Sequence, residues 1–111
     1  MNANVAERLG LSLTTLEKLA SVFVLHPAIH QALVYGSRAK GTYRRGSDID
    51  LTLKGERLDF TELMQIEDQI DDLLLPYTVD LSDYRQLSNP DLLAHIDRVG
   101  IVIFQQQPAI H

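Results

Sequence analysis

The sequence predicts an α/β fold of the α+β type, in which helices pack on a mixed β-sheet. Short apolar runs alternate along the chain with longer segments of helical periodicity, an order typical of one sheet covered by helices. The chain has 111 residues, 45% of them apolar and 23% charged, so we expect residues 1–111 to form a single domain. Cysteine is absent, which excludes disulfide bonds, thiolate metal sites and a cysteine nucleophile.

Three helices are predicted from capping signals and from apolar residues that recur every three or four positions. The first follows a polar N-terminal lead and begins at Thr14, because Thr14 and Glu17 have the spacing of a capping box. The second covers residues 60–73 and is terminated by Pro76. The third begins at the cap pattern Asn89-Pro90. The apolar faces comprise Leu16, Leu19, Ala20 and Phe23 in the first helix, Phe60, Leu63, Ile66, Ile70 and Leu73 in the second, and Leu92, Leu93, Ile96 and Val99 in the third.

Four strands are predicted, over residues 32–35, 48–53, 77–81 and 101–104. Gly36 ends the first strand, and the segment that follows it, up to Gly41, can form a short helical piece. We expect the first two strands to pair as a hairpin-like unit around the basic loop that joins them. The sequence leaves the order of the strands open.

The charge of the chain is unevenly distributed. Six basic and three acidic side chains lie in the segment from Arg38 to Arg57, so its charge is +3. The rest of the chain carries a charge of -8, which gives the net charge of -5. A basic island in an acidic chain favours a small anionic ligand, and a solvated arginine-rich loop is the alternative. The net charge opposes general binding to duplex DNA, and RNA binding by the island is the weaker alternative. No apolar run approaches the roughly 20 residues that cross a bilayer, and the first residues are not an apolar leader, so we expect a cytoplasmic protein.

Two acidic residues stand two positions apart on the second predicted strand. Asp48 and Asp50 therefore leave the same face, with Cα atoms about 7 Å apart, and such a pair suits a hard cation such as Mg²⁺. Asp80 is a third acid, flanked by Val79 and Leu81 in an apolar strand, where an unpaired charge is costly. Three acids can hold two metal ions for phosphoryl or nucleotidyl transfer, whereas a polar edge strand is the alternative interpretation. Asp83 is interpreted as a solvated turn residue.

The Gly36-Ser37 pair follows directly after the first predicted strand. Glycine permits close approach of the backbone to a ligand, and a serine hydroxyl can donate to a phosphate oxygen. The pair is an ordinary turn when it stands alone. It is not a P-loop, because no Gly-Lys-Ser/Thr follows at the required spacing.

Taken together, these pieces resemble the nucleotidyltransferase superfamily that includes DNA polymerase beta and kanamycin nucleotidyltransferase. The resemblance is carried by GSRAKGTYRRGSDIDL at residues 36–51 and by VDL at residues 79–81. The pattern is most similar to the minimal nucleotidyltransferases (MNT), small single-domain proteins usually encoded beside a HEPN-domain protein. Residues 89–104 also look like the C-terminal part of these proteins. The resemblance implies a polymerase beta-like catalytic core.

The resemblance also implies site residues, cofactors and a partner. Asp48, Asp50 and Asp80 match the catalytic acids that bind two Mg²⁺ ions, and ATP is the implied donor. Gly36 and Ser37 match the triphosphate-binding turn of the family. Arg38 and Lys40 lie close enough in the sequence to reach phosphate, with loop solubility or contacts to an acidic face of a partner as the alternative. Ser47 is a further candidate for nucleotide binding. The implied reaction transfers AMP to a tyrosine hydroxyl of a HEPN toxin, in a hetero-oligomer in which this chain is the antitoxin, with neither a membrane nor stable DNA as a partner.

Two other functions are compatible with the same residues. The first is a non-catalytic antitoxin that neutralises a HEPN partner by forming a complex with it. The second is modification of a small molecule, as in the aminoglycoside enzymes, which would need a homodimer in a chain this short. The nucleotide preferred and the roles of Arg44 and Arg45 are left open.

The histidines are interpreted as structural. His26 and His30 are four residues apart, but Pro27 interrupts the helix that would align them as metal ligands. His95 lies among apolar residues of the last predicted helix, where packing or a contact with a partner is expected.

Overall fold

The computed structural model describes residues 3–107 of the chain. The first two residues of the predicted domain and its last four, including His111, lie outside this range. Residues 3–107 form five helices and four strands, and a short 3₁₀ turn, Tyr84–Gln86, follows β3. In chain order the elements are α1 Ala3–Leu9, α2 Leu13–Phe23, β1 Gln31–Tyr35, α3 Gly36–Lys40, β2 Ile49–Lys54, α4 Phe60–Asp71, β3 Val79–Asp83, α5 Pro90–Val99 and β4 Ile101–Gln105.

The strands form one mixed sheet in the order β3-β2-β1-β4. Strand β1 is antiparallel to both of its neighbours, β2 and β4, whereas β2 and β3 are parallel. The predicted pairing of the first two strands around the basic loop is thus confirmed. The parallel pair requires a crossover, and α4 supplies it. The prediction of a mixed sheet covered by helices is also confirmed.

Side chains along β1 point alternately to the two faces of the sheet, and both faces are packed against other parts of the protein. Ala32 and Val34 are fully buried and belong to the main core, which α1, α2 and α4 complete. Leu33 is directed to the opposite face by the pleat, and there it is close to Gly100, which follows the C-terminal end of α5. The second face is therefore covered by α5, and it is also the face that Tyr35 shares.

The N-terminal region differs from the prediction in two ways. The polar lead forms helix α1, whose buried residues Ala6 and Leu9 are three apart and pack into the core. A seven-residue helix of this kind depends on tertiary packing rather than on local propensity, so its sequence signal is weak. The capping residue of α2 is Ser12 and not Thr14, because the Ser12 hydroxyl accepts the N–H of Thr15 at 3.0 Å. The third helix is confirmed, with Asn89 as its cap and Pro90 in its first turn.

Two residues around the crossover lie in unexpected environments. The periodicity predicts Phe60 on the apolar face of α4, but Phe60 is 74% exposed. Six residues at 100° each place it about 120° around the helix from the buried Ile66. Strand β3 begins and ends two residues later than predicted, and Asp83 is buried at its end instead of lying in a solvated turn. The Asp83 carboxylate accepts the N–H of Arg85 at 3.0 Å. Asp83 is three residues after Asp80, so its side chain leaves the opposite face of the strand.

Candidate active site

The predicted acids meet at the end of the sheet where β1 finishes. Asp50 on β2 is paired with Asp80 on β3 in the parallel register, so their Cα atoms are about 4.8 Å apart and their side chains leave the same face. Asp48 stands just before β2, two residues ahead of Asp50. Tyr35, the last residue of β1, is the partner of Asp50 on the other side. Three strands thus contribute to one polar surface.

The three carboxylates differ in their exposure to solvent. Asp48 and Asp80 are exposed, whereas Asp50 is partly buried because β2 lies inside the sheet. The expectation that Asp80 is an unpaired charge in an apolar interior is wrong, because β3 is an edge strand and leaves this position open to water. The exposed Asp80 is accessible to a ligand that approaches the sheet end.

The carboxyl group of Asp50 is perturbed by its surroundings. Its partial burial, and then the charges of Asp80 and Asp48, raise the pKa of Asp50 above its usual value. None of the three carboxylates makes a hydrogen bond or salt bridge with another residue in the described part of the chain. Such unpaired oxygens are the donors that Mg²⁺ prefers. Within residues 3–107, however, no three acidic or histidine side chains converge tightly enough to hold a metal ion by themselves.

Gly36 is adjacent to the Asp50 carboxylate. A Cβ atom at Gly36 would lie 2.2 Å from Oδ2 of Asp50, so only a residue without a side chain leaves room for the carboxylate. The φ angle of Gly36 is +71°, a left-handed conformation that glycine adopts without strain. The next residue, Ser37, is partly buried, and its hydroxyl makes no hydrogen bond with any residue from 3 to 107. The turn thus presents an unused hydroxyl beside the acids.

Arg38 is not available to bind phosphate, contrary to the sequence-based prediction. It is 2% exposed, and its guanidinium donates to the carbonyl oxygens of Ser47, Leu9 and Gly10 at distances from 2.7 to 3.2 Å. The rings of Tyr43 and Tyr77 lie within 5.3 Å and 4.9 Å of the guanidinium carbon and complete its enclosure by cation–π contacts. Arg38 therefore fixes the loop between α3 and β2 to the C-terminal end of α1.

The other two predicted nucleotide-binding residues lie at different places around this loop. Ser47 shapes the loop, because its hydroxyl accepts the N–H of Arg44 at 2.8 Å and its carbonyl accepts from Arg38. Lys40 ends α3 and is exposed, and it lines a shallow pocket with Arg8 and Arg98. Within residues 3–107 neither side chain makes a hydrogen bond with the Gly36-Ser37 turn.

The sequence-based interpretation missed two residues of the site, Tyr35 and His95. His95 on α5 accepts the backbone N–H of Gly36 at its Nε2 atom, 3.0 Å away. The ring of Tyr35 packs edge-on against the His95 ring, and burial, followed by the nearby acids Asp50 and Asp80, raises the pKa of the Tyr35 hydroxyl. A signal for His95 was present, because it stands three residues after Leu92 and four before Val99 and so lies on the apolar face of α5.

Comparison with known proteins identifies the family. The family described as Polymerase beta, Nucleotidyltransferase matches residues 17–109. The chain belongs to this nucleotidyltransferase family. Among curated proteins, a nucleotidyltransferase relative from Haemophilus influenzae, described as probable protein adenylyltransferase MntA, is 28% identical over 106 residues, which cover 95% of this chain and 86% of that protein.

Solved structures show the same nucleotidyltransferase fold. A toxin-antitoxin crystal structure with AMP-PNP superposes with a TM-score of 0.66 at 24% identity, covering 83% of this chain and 74% of that one. The complex of a tri-AMPylated Shewanella oneidensis HEPN toxin with its MNT antitoxin gives a TM-score of 0.62 at 19% identity, covering 84% and 71%. The predicted polymerase beta-like core is thereby confirmed. As a member of this family, the protein is a nucleotidyltransferase, so its substrate is a nucleotide.

A further surface of this nucleotidyltransferase lies apart from the acids. A cavity of about 580 Å³ is found at the opposite end of the sheet, lined among others by His30, Lys54 and Tyr84, and none of the predicted site residues borders it.

In residues 3–107 no helix has the length and apolar character needed to span a membrane.

Proposed function

We propose that this nucleotidyltransferase transfers AMP from ATP to a tyrosine hydroxyl of a HEPN toxin and so acts as the antitoxin of a toxin-antitoxin pair. The names of the similar proteins support the partner and the group transferred: an adenylyltransferase, and complexes of an MNT antitoxin with a HEPN toxin that carries AMP groups. Because the donor is ATP, we propose the cytoplasm as the location of the reaction. The observation that carries the proposal is the pairing of Asp50 with Asp80 beside the Gly36-Ser37 turn.

The proposed site divides its work between the turn and the acids. Gly36 and Ser37 would bind the phosphates of ATP, since the turn allows close approach and the Ser37 hydroxyl has no competing partner in the described chain. Asp48, Asp50 and Asp80 would hold Mg²⁺ together with phosphate oxygens, because three unpaired carboxylates fit that ion but do not enclose it alone. When bound, Mg²⁺ would neutralise phosphate charge and polarise the α-phosphorus.

The transfer step follows from this arrangement. The tyrosine oxygen of the acceptor attacks the α-phosphorus of ATP, the bond to the bridging oxygen breaks, and pyrophosphate leaves in line. The hydroxyl proton passes to Asp80, whose carboxylate is exposed and accessible to an incoming protein. Asp50, inside the sheet, stays in place and holds the donor. The phenolic ester of AMP that forms on the acceptor is the product.

Intact-mass spectrometry of the HEPN partner tests this function. The partner is incubated with ATP, Mg²⁺ and either the natural protein, Asp50→Asn or Asp68→Asn. Asp68 is an exposed acid on α4, away from the paired strands, and provides the matched control. We expect addition of AMP with the natural protein and with Asp68→Asn, and a loss of rate of about a hundredfold or more with Asp50→Asn.

Two results would contradict the proposal. Full transfer by Asp50→Asn would exclude the acids as the catalytic group. A stable complex that protects cells from the toxin without any added mass would instead indicate a non-catalytic antitoxin. Omission of Mg²⁺ from the same assay separately tests the metal, because transfer that persists in a chelator would exclude it.

A further inference from the structure

We infer that His95 is a positioning residue of this site: it holds the Gly36-Ser37 turn through the Gly36 N–H and thereby seats both the phosphate-binding hydroxyl and Asp50. The inference rests on the proposed function for its kinetic consequence. His95 is 59 residues from Gly36 in the sequence, so the hydrogen bond connects α5 to the turn across the fold.

The hydrogen bond defines the role of one ring nitrogen of the histidine. Nε2 of His95 accepts the Gly36 N–H at 3.0 Å, so this nitrogen is turned toward the start of the turn. The Tyr35 ring, at 6.1 Å between centroids and 78° between planes, limits rotation of the imidazole. His95 is therefore an oriented acceptor and not a loosely packed surface side chain.

Gly36 is constrained on two sides. His95 binds its N–H, and the Asp50 carboxylate occupies the space that a side chain would fill, 2.2 Å from an ideal Cβ. With φ at +71°, the residue also has a backbone conformation that glycine adopts readily and other residues do not. Any change in the direction of the Gly36 N–H would move the peptide plane and with it the contact surface of Asp50. The single hydrogen bond from α5 thus controls the geometry of two functional groups.

The same hydrogen bond determines which groups of the turn remain for phosphate. The Gly36 N–H is occupied by His95, so it is not a phosphate donor. The hydroxyl of Ser37, which has no partner in residues 3–107, is the side-chain donor that remains. His95 therefore acts through Ser37 and Asp50 and does not itself contact the nucleotide.

Three variants test the positioning role by steady-state kinetics with ATP. His95→Leu keeps a side chain of similar bulk but has no acceptor, whereas His95→Gln places an amide oxygen at nearly the reach of Nε2. We expect His95→Leu to lower kcat/KM for ATP by roughly three- to tenfold, the effect of one hydrogen bond, and His95→Gln to restore most of it. His30→Leu is the matched control, because His30 bonds the Gln106 carbonyl at the other end of the sheet, and it should leave kcat/KM unchanged.

A purely structural role gives a different pattern. In that case His95→Leu lowers the melting temperature without changing kcat/KM, and His95→Gln offers no rescue, which overturns the inference. If His95→Leu does not fold, His95→Asn takes its place, since its shorter amide cannot reach the Gly36 N–H.

Amide hydrogen exchange at Gly36 separates the failure of this inference from the failure of the proposed function. His95→Leu should accelerate exchange of the Gly36 amide and weaken ATP binding measured by calorimetry, whether or not any acceptor is modified. Unchanged exchange at Gly36 would refute the positioning role even if AMP transfer is found. Absence of transfer with altered exchange would refute the proposed function alone.

Discussion

Substitution of Gly36 by alanine separates the cost of a left-handed backbone from the cost of displacing a functional carboxylate. At φ +71° the alanine side chain costs about 1–2 kcal/mol, which corresponds to a decrease of the melting temperature of roughly 4–8 °C per kcal/mol in a domain of this size. Its Cβ also meets Oδ2 of Asp50 at 2.2 Å, and Cγ at 3.1 Å. The end of a side chain can rotate away at little cost in stability, but the Asp50 carboxylate then leaves its position.

Gly41→Ala is the matched control for this experiment. Gly41 has φ +79°, close to that of Gly36, and nothing lies within 4 Å of an added Cβ. Thermal unfolding should therefore show similar losses of stability in the two variants, while the mass assay should show a decrease in transfer of about a hundredfold in Gly36→Ala only. Equal transfer by the two variants would refute the reasoning that Gly36 is needed to make room for Asp50.

Three further predictions follow from the same contacts. Arg38→Met should lower the free energy of unfolding, measured in urea, by about 3 kcal/mol or more, because buried carbonyl groups such as that of Ser47 lose a charged hydrogen-bond donor. A variant that is stable but fails to bind ATP would show instead that Arg38 binds phosphate. Asp50→Asn should raise the melting temperature at pH 7 in a chelator, because the pKa of Asp50 in the folded protein lies above the usual 3.8 and ionisation of its carboxyl group therefore costs stability at pH 7. The increase in melting temperature should become smaller near pH 4, and an increase that is independent of pH would contradict this origin. Phe60→Ser should change stability by less than about 0.5 kcal/mol, and a loss of 2 kcal/mol would show that the ring is packed.

Local signals in the sequence were sufficient for much of the fold. The Asn89-Pro90 cap pattern, the strand that Gly36 ends and the short helix after it are all found where the pattern placed them. Each of these signals acts over a few residues through backbone conformation or capping, so it can be read without knowledge of the rest of the chain. The parallel register of β2 and β3 is different, since it depends on a crossover through α4 that no local pattern specifies.

The site shows the same division between local and distant information. The acids and the Gly36-Ser37 turn are close in the sequence or share a motif, and their positions were predicted. Arg38 was misassigned because an arginine beside a phosphate turn is chemically suited to phosphate, while its real acceptors include Leu9, 29 residues away. His95 was missed as a site residue because its partner Gly36 is 59 residues away. Burial and long-range hydrogen bonds decide such roles, and neither is visible in one sequence.

Through the guanidinium of Arg38, the first helix supports the loop between α3 and β2. A chain shortened to residues 17–109, the range that matches the family, would keep every predicted acid and the whole sheet, yet it would lose the carbonyl oxygens of Leu9 and Gly10. Of the three carbonyl groups in residues 3–107 that accept hydrogen bonds from the Arg38 guanidinium, the shortened chain would keep only that of Ser47. Minimal boundaries drawn from sequence similarity would thus remove an anchor of the loop, and any version of this protein prepared for assays should retain α1.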